Sequence, residues 1–290
     1  MESTGFHEAA DGIRLFWRSV RASPPCAVMV IAHGVGEHSG RYSGLAAALA
    51  DAGVTTYAYD QRGHGRSGGA RAHVGRWSDY SDDLQGMIGR ARTLEPGIPT
   101  FVFGHSMGSM IALSLLIRRT GGSSPPVGGW VVSGVGLRPS GIAKPPLVVI
   151  ARVLSRVAPR VRIDLGIRGE DLTHEADIAL AYREDPLIQR RATVRWGAEA
   201  LAAISAIKER IGCVRGVSLL ILHGGADPLL HPDGARWLAA NVAGDVELHV
   251  YPEALHEPHN EPRFAHAADD IAEWIGERVG DPLRATGRSA

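Results

Sequence analysis

The stretch TFVFGHSMGSMIAL, residues 100–113, begins as a strand-like apolar run and ends with apolar residues at helical spacing. Where the period changes, Ser106 stands between Gly104 and Gly108. A strand turning sharply into a helix needs glycine where its backbone crowds, and the turn lifts a serine hydroxyl above the sheet edge at the helix N-terminus. The bare pattern is weak, because the chain has 36 glycines among 290 residues and GRSGG, Gly65 to Gly69, fits it around Ser67. Context separates the two serines. Ser106 is followed by Met107, Met110, Ile111, Ser114 and Leu115 at helical spacing, whereas Ser67 lies in the polar DQRGHGRSGGARAH with no helix after it. Ser106 reads as a nucleophile and Ser67 as a turn former.

Working outward, strands are predicted at Ile13 to Val20, Cys26 to Ala32, Val54 to Tyr59, Thr100 to Phe103, Trp130 to Ser133, Val217 to Leu222 and Val246 to Tyr251. Helices are predicted near Tyr42 to Ala52, Ser78 to Leu94, Met107 to Arg119, Pro232 to Val242 and Arg263 to Val279. AADG, Ala9 to Gly12, reads as the turn of a hairpin. The alternation predicts an α/β fold, a mostly parallel sheet covered by helices. From about Arg138 to Gly212 no convincing strand is found, only amphipathic helical segments and proline-bounded turns, so an insertion is expected there. The division expected is a core of residues 1–137 and 213–280, a helical cap of 138–212, and a polar, disordered tail of 281–290.

A serine hydroxyl is a weak nucleophile until a base takes its proton and a third group orients the base. The chain order of this architecture puts an acid and then a histidine after the serine, on loops beyond later strands. HGGADPLLHPDG follows the strand ending at Leu222, and its Asp227 is favoured as the acid; Asp233 reads as an acid at a helix start, where the dipole favours it. Of the 13 histidines only His256, His259 and His266 follow the last predicted strand. His256 stands five residues after the strand end and is favoured as base, His259 remains its rival, and His266 falls within a helical pattern. The oxyanion needs donors. The amides of Met107 and Val35, the latter in the glycine-containing HGVGEHSGRY, are the candidates, and His33 reads as a prop for that loop.

Equal numbers of basic and acidic side chains leave no net charge to recruit nucleic acid. Cys26 and Cys213 lack metal-ligand or redox spacing. The start of the chain lacks a basic segment followed by an apolar one, and no apolar run is long enough to span a bilayer, so a soluble, cytoplasmic protein is expected.

HGVGEHSGRY (33–42), YDQRGHGRSGG (59–69), GHSMG (104–108), DPLI (185–188), LHGGADPL (222–229) and LHEPHNE (255–261) occur in order, and together they resemble the monoacylglycerol lipase family of α/β-hydrolases, especially its bacterial members. The resemblance runs from roughly the first predicted strand to about Val279. It implies an eight-stranded sheet with a helical cap, a Ser106–Asp227–His256 triad, and an oxyanion hole from the Val35 and Met107 amides. It also implies hydrolysis of monoacylglycerol esters without a cofactor. Glu37, His38 and Arg41 match the family's motif and read as loop-fixing or glycerol-side groups. Ser109 departs from the family, which usually has glycine there, and the cap matches weakly apart from DPLI.

Arg138, Lys144, Arg152, Arg156, Arg160, Arg162 and Arg168 interleave with an apolar run in residues 138–168, where Asp164 is the sole acid. Such a stretch either covers the site or lies peripherally on an anionic membrane. A general carboxylesterase or lysophospholipase with the same triad, a proline-directed peptidase, and a non-catalytic ligand-binding relative of the fold remain as alternatives.

Overall fold

The computed structural model describes residues 2–120, 126–140 and 154–280. Its strands are β1 (Glu2–Glu8), β2 (Arg14–Val20), β3 (Ala27–Ala32), β4 (Val54–Tyr59), β5 (Thr100–His105), β6 (Gly129–Ser133), β7 (Arg162–Asp164), β8 (Arg191–Thr193), β9 (Arg215–Gly224) and β10 (Ala243–Tyr251). The helices are α1 (Ser43–Asp51), α2 (Trp77–Leu94), α3 (Met107–Arg119), α4 (Ala176–Glu184), α5 (Val194–Arg210), α6 (Asp233–Asn241) and α7 (Ala267–Val279).

Eight strands form one sheet in the order β1-β2-β4-β3-β5-β6-β9-β10. The β1–β2 and β2–β4 pairs are antiparallel, and the others are parallel. β3 shows why a parallel sheet reads as an apolar run. Every residue of AVMVIA is buried; Val28, Val30 and Ala32 join the core beneath α2 and α3, while Ala27, Met29 and Ile31 join the core beneath α1 and α7. Each fully buried side chain of the Val, Ile or Met class stabilises by about 1.5–3 kcal/mol, and both faces contribute along the strand.

Chain order reverses around β3, which has β4 on one side and β5 on the other. In open α/β sheets that switch leaves a crevice beyond the carboxyl ends of the strands. Here it opens between the loop after β3 and the turn after β5.

The sequence signal misses β1. ESTGFHE is mostly exposed and polar, and the strand is held by pairing with β2, with Gly5 opposite Trp17. A Cβ at Gly5 would come within 2.7 Å of the Trp17 ring, so glycine leaves that ring its place. The interval after β6 also contains strands that periodicity does not find: β7 and β8 form a three-residue antiparallel ladder, too short and too rich in charge to give an apolar alternation. Much of the basic apolar stretch, residues 141–153, and the expected tail, residues 281–290, lie outside the described residues. Among the described residues no helix is long and apolar enough to cross a membrane.

Candidate active site

β5 runs straight into α3 through Ser106, whose φ of 53° and ψ of −113° place a non-glycine residue in a region that L side chains rarely adopt. The flanking glycines permit the turn. A Cβ on Gly104 would lie 2.3 Å from the Gly108 carbonyl oxygen, and one on Gly108 would lie 2.0 Å from that of Ala32. Ser109, the departure from the family pattern, is buried and stitches the turn to the loop after β6: its hydroxyl donates to the Ser106 carbonyl (2.6 Å) and accepts from the Gly136 amide (3.2 Å).

Ser106 shares a pocket with His256, Val35 and Glu257. His256 Nδ1 lies 2.8 Å from Asp227 Oδ2. The second Asp227 oxygen accepts the amides of Leu229 (2.8 Å) and Leu230 (3.0 Å), so the carboxylate is fixed on both sides. Burial acts to lower the His256 pKa, but Asp227, with help from Glu257 and Glu37, holds it above its ordinary value. Burial would likewise raise the Asp227 carboxyl, yet the imidazole and the backbone donors keep it below the usual range. The sequence does not single out His223, which braces this acid loop by accepting the Val135 amide (3.0 Å) and facing the Leu230 carbonyl (3.0 Å).

The alternatives fall elsewhere. Asp233 is a partly exposed first-turn acid of α6, paired with Arg138 and Arg236. His266 is exposed just before α7 rather than within it. His259 is partly buried with both ring nitrogens shielded from solvent, stacks on Tyr42 at 4.9 Å, and has no hydrogen-bond partner for either ring nitrogen among the described residues. Burial lowers its pKa to about 4. His33 uses both nitrogens on backbone, Nδ1 toward the Gly34 carbonyl (2.7 Å) and Nε2 accepting the Gln61 amide (2.9 Å), and burial lowers it to about 4. Ser67 is buried, its hydroxyl accepting the Phe16 amide (2.8 Å) and donating to the Asp60 carbonyl (2.5 Å).

In the loop after β3 the Gly34 amide is taken by Glu37 Oε1 at 2.5 Å, and Val35, the next residue, lines the pocket. Met107 opens α3, where first-turn amides have no intrahelical acceptor. The segment between β6 and β9 holds both sides of this crevice. Gln189 donates its amide to the Gly36 carbonyl (2.7 Å), His38 pairs with Asp185 (2.8 Å), and the Leu172 carbonyl accepts the Glu257 amide (2.9 Å). Ile167, Leu172 and Tyr182 from that segment complete the pocket wall. Sequence reasoning does not single out Glu257 either, although it directly follows His256; its partner Arg41 reads there as a loop-fixing or glycerol-side group, with nothing to pair it with Glu257. Among the described residues no group of His, Cys, Asp and Glu is arranged to hold a metal ion.

The family described as serine aminopeptidase, S33, matches residues 23–263. The chain is 34% identical over 252 residues to a monoacylglycerol lipase of Mycolicibacterium smegmatis, covering 87% of this chain and 88% of that one. It is 33% identical over 278 residues to human monoglyceride lipase, covering 93% and 89% respectively. A solved structure of Paleococcus ferrophilus monoacylglycerol lipase superposes with a TM-score of 0.80 at 28% identity, covering 91% of this chain and 99% of the other.

Proposed function

Because the chain belongs to the serine aminopeptidase S33 family and, within the α/β-hydrolase fold, to the monoacylglycerol lipase family, we propose that it hydrolyses monoacylglycerols, or closely similar lipid monoesters, to a fatty acid and an alcohol. The observation that carries the reading is a strained serine at a strand-to-helix turn, sharing a pocket with a histidine bonded to a buried aspartate.

His256, neutral at Nε2, takes the Ser106 proton as the serine oxygen attacks the ester carbonyl. Asp227 stabilises the imidazolium and holds Nδ1–H, which leaves Nε2 as the basic nitrogen. The Val35 and Met107 amides receive the developing oxyanion. The alkoxide leaves with the proton from His256, and water, deprotonated by the same histidine, then releases the acid from Ser106. The arrangement calls for no cofactor.

Residues 138–212 act as the cap, whose Ile167 and Leu172 offer an apolar wall to the acyl chain. The outer surface of that segment exposes Val157, Val161 and Ile163 beside Arg156, Arg160 and Arg162, a combination suited to peripheral contact with an anionic lipid surface. Vesicle flotation with and without anionic lipid tests that contact, and equal binding to neutral vesicles would remove the electrostatic part.

The test of the reaction compares wild type with Ser106→Ala on a short aryl ester, monoacylglycerols of increasing chain length, a lysophospholipid and a peptide amide. Ser106-dependent preference for monoacylglycerol is expected. Ser106-dependent turnover restricted to the other substrates would keep the nucleophile and discard the lipid assignment.

A further inference from the structure

His256 and Val35 both line the pocket, from loops after β10 and β3. One buried chain of charges joins these loops. Arg41 Nη1 donates to Glu37 Oε2 (2.7 Å) and to Glu257 Oε1, while Nη2 donates to Glu257 Oε2 (2.9 Å), forming a fork across 216 residues of chain. Glu37 Oε1 takes the Gly34 amide (2.5 Å) and the Tyr42 hydroxyl (2.7 Å), and Glu257 Oε2 takes the side-chain Nδ2 of Asn260 (2.8 Å). All four carboxylate oxygens therefore have protein partners. The side chains of Arg41, Glu37 and Glu257 are only 8%, 4% and 1% exposed. The Arg41 guanidinium packs over the Tyr182 ring at 4.8 Å.

Buried ion pairs are poor sources of net stability, because desolvation consumes most of their attraction; their best-attested use is to specify one arrangement. Here the arrangement specified is the distance between base and oxyanion donor. We propose that Glu257, acting through Arg41 and Glu37, is a positioning residue that sets the His256 loop and the Gly34–Val35 loop in register with each other. The inference rests on the reaction proposed above. It differs from a role for Arg41 and Glu37 in gripping the alcohol of the substrate, which both could do from the pocket wall.

The two roles separate on the leaving group. Glu257→Gln and Glu37→Gln are measured singly and together on an aryl ester and a glycerol ester of the same acyl chain. A register fault misplaces the reacting groups whatever the alcohol, and misplacement by about 1 Å costs roughly 100-fold. Each variant is therefore expected to lower kcat by about 10- to 100-fold equally on both esters, with KM changed less than about 2-fold. The double variant is expected to be no worse than the weaker single one, because the link is already broken. Loss confined to the glycerol ester, multiplicative losses in the double variant, or an unchanged kcat would each overturn the proposal.

A pH profile gives a readout that simple loosening does not move. His256 is faced by Asp227 and His223 from β9 and its following loop, by His105 from β5, by Glu37 and Arg41 from the loop after β3, and by Glu257 and His259 on its own loop. Removing the Glu257 charge should shift the acid limb of kcat/KM to lower pH, and an unmoved limb counts against the proposal. If Glu257→Gln does not fold, as judged by its thermal transition, Asn260→Ala removes one of the two donors on Glu257 Oε2, leaving Arg41, and carries the same comparison at about 2- to 5-fold amplitude. A wild type active on the aryl ester but inert on glycerol esters would sink the lipid assignment alone, leaving the double variant and the pH profile to judge the register.

Discussion

GHSMG around Ser106 and GRSGG around Ser67 share one pattern, but the molecule gives their hydroxyls opposite fates. Ser106 caps no helix with its side chain, sits at a φ of 53°, and faces a pocket. Ser67 is 3% exposed, and its hydroxyl bridges the Phe16 amide and the Asp60 carbonyl. At the first site the strain resides in the serine backbone and the side chain borders the pocket; at the second the hydroxyl holds a turn together. The difference comes from the residues on the C-terminal side of each serine. A helix after Ser106 aims the first-turn amides of α3 at the same space, while the stretch after Ser67 folds back on Gly63 through backbone bonds.

The largest effect should come from exchanging the two serines for alanine. Ser106→Ala is expected to reduce kcat on the best ester by about 10⁴-fold or more with thermal stability retained. Ser67→Ala should keep activity within about 3-fold but lose about 1–3 kcal/mol in denaturant unfolding, since two buried backbone groups lose their partner. Equal kinetic losses would erase the contrast.

Next in size is the pair of histidines beyond β10. His256→Ala should approach the loss of Ser106→Ala, because nucleophile and base act as a unit. His259→Ala should keep most turnover and show mainly a lowered melting temperature from the lost Tyr42 stack. A matching kinetic loss at His259 would reopen the choice of base.

The glycines sharpen the contrast further. Gly108→Ala forces a Cβ to 2.0 Å from the Ala32 carbonyl oxygen and should cost about 3 kcal/mol or more, with activity lost as the turn shifts. Gly69→Ala, at a φ of 96° in the other turn, should cost about 1–2 kcal/mol and spare activity. Denaturant melts beside ester assays read both quantities.

The smallest effect is in pH. His256 has a raised pKa and must be neutral to act, so kcat/KM should fall as pH drops through a value above 6.5. Stability should also fall in acid. His33 and His259 are held near 4 and His64 near 3 by burial, so below about 6.5 the unfolded chain binds protons that the native state refuses. His256 works in the reverse sense, losing its stabilising contribution as pH rises through its own raised pKa. Melting temperatures measured at pH 7 and pH 5 should show a net fall, with the buried neutral histidines dominating.

The parallel strands are legible because burial on both faces leaves little but apolar residues, as β3 shows: periodicity predicts Cys26 to Ala32, and Ala27–Ala32 is found. β1 is not legible, because an edge strand held by pairing with β2 needs no apolar alternation. Asp227 can be preferred to Asp233 from its position just beyond a strand end, and in the fold it is Asp227 that lies 2.8 Å from His256. Glu257 has a signal in LHEPHNE, a carboxylate beside the favoured histidine, but nothing in the local pattern names Arg41 as its partner.

By itself the sequence determined the alternation of strands and helices, the glycine-framed turn at Ser106 and the order of serine, acid and histidine, because these follow from local sterics and from the period of burial. Only the tertiary structure decided which serine borders the pocket, which histidine meets Asp227, and that Arg41 ties together two loops 216 residues apart. Those outcomes depend on which carboxylates and backbone groups share a desolvated space, and that is set by how the sheet and the segment above it close on one another.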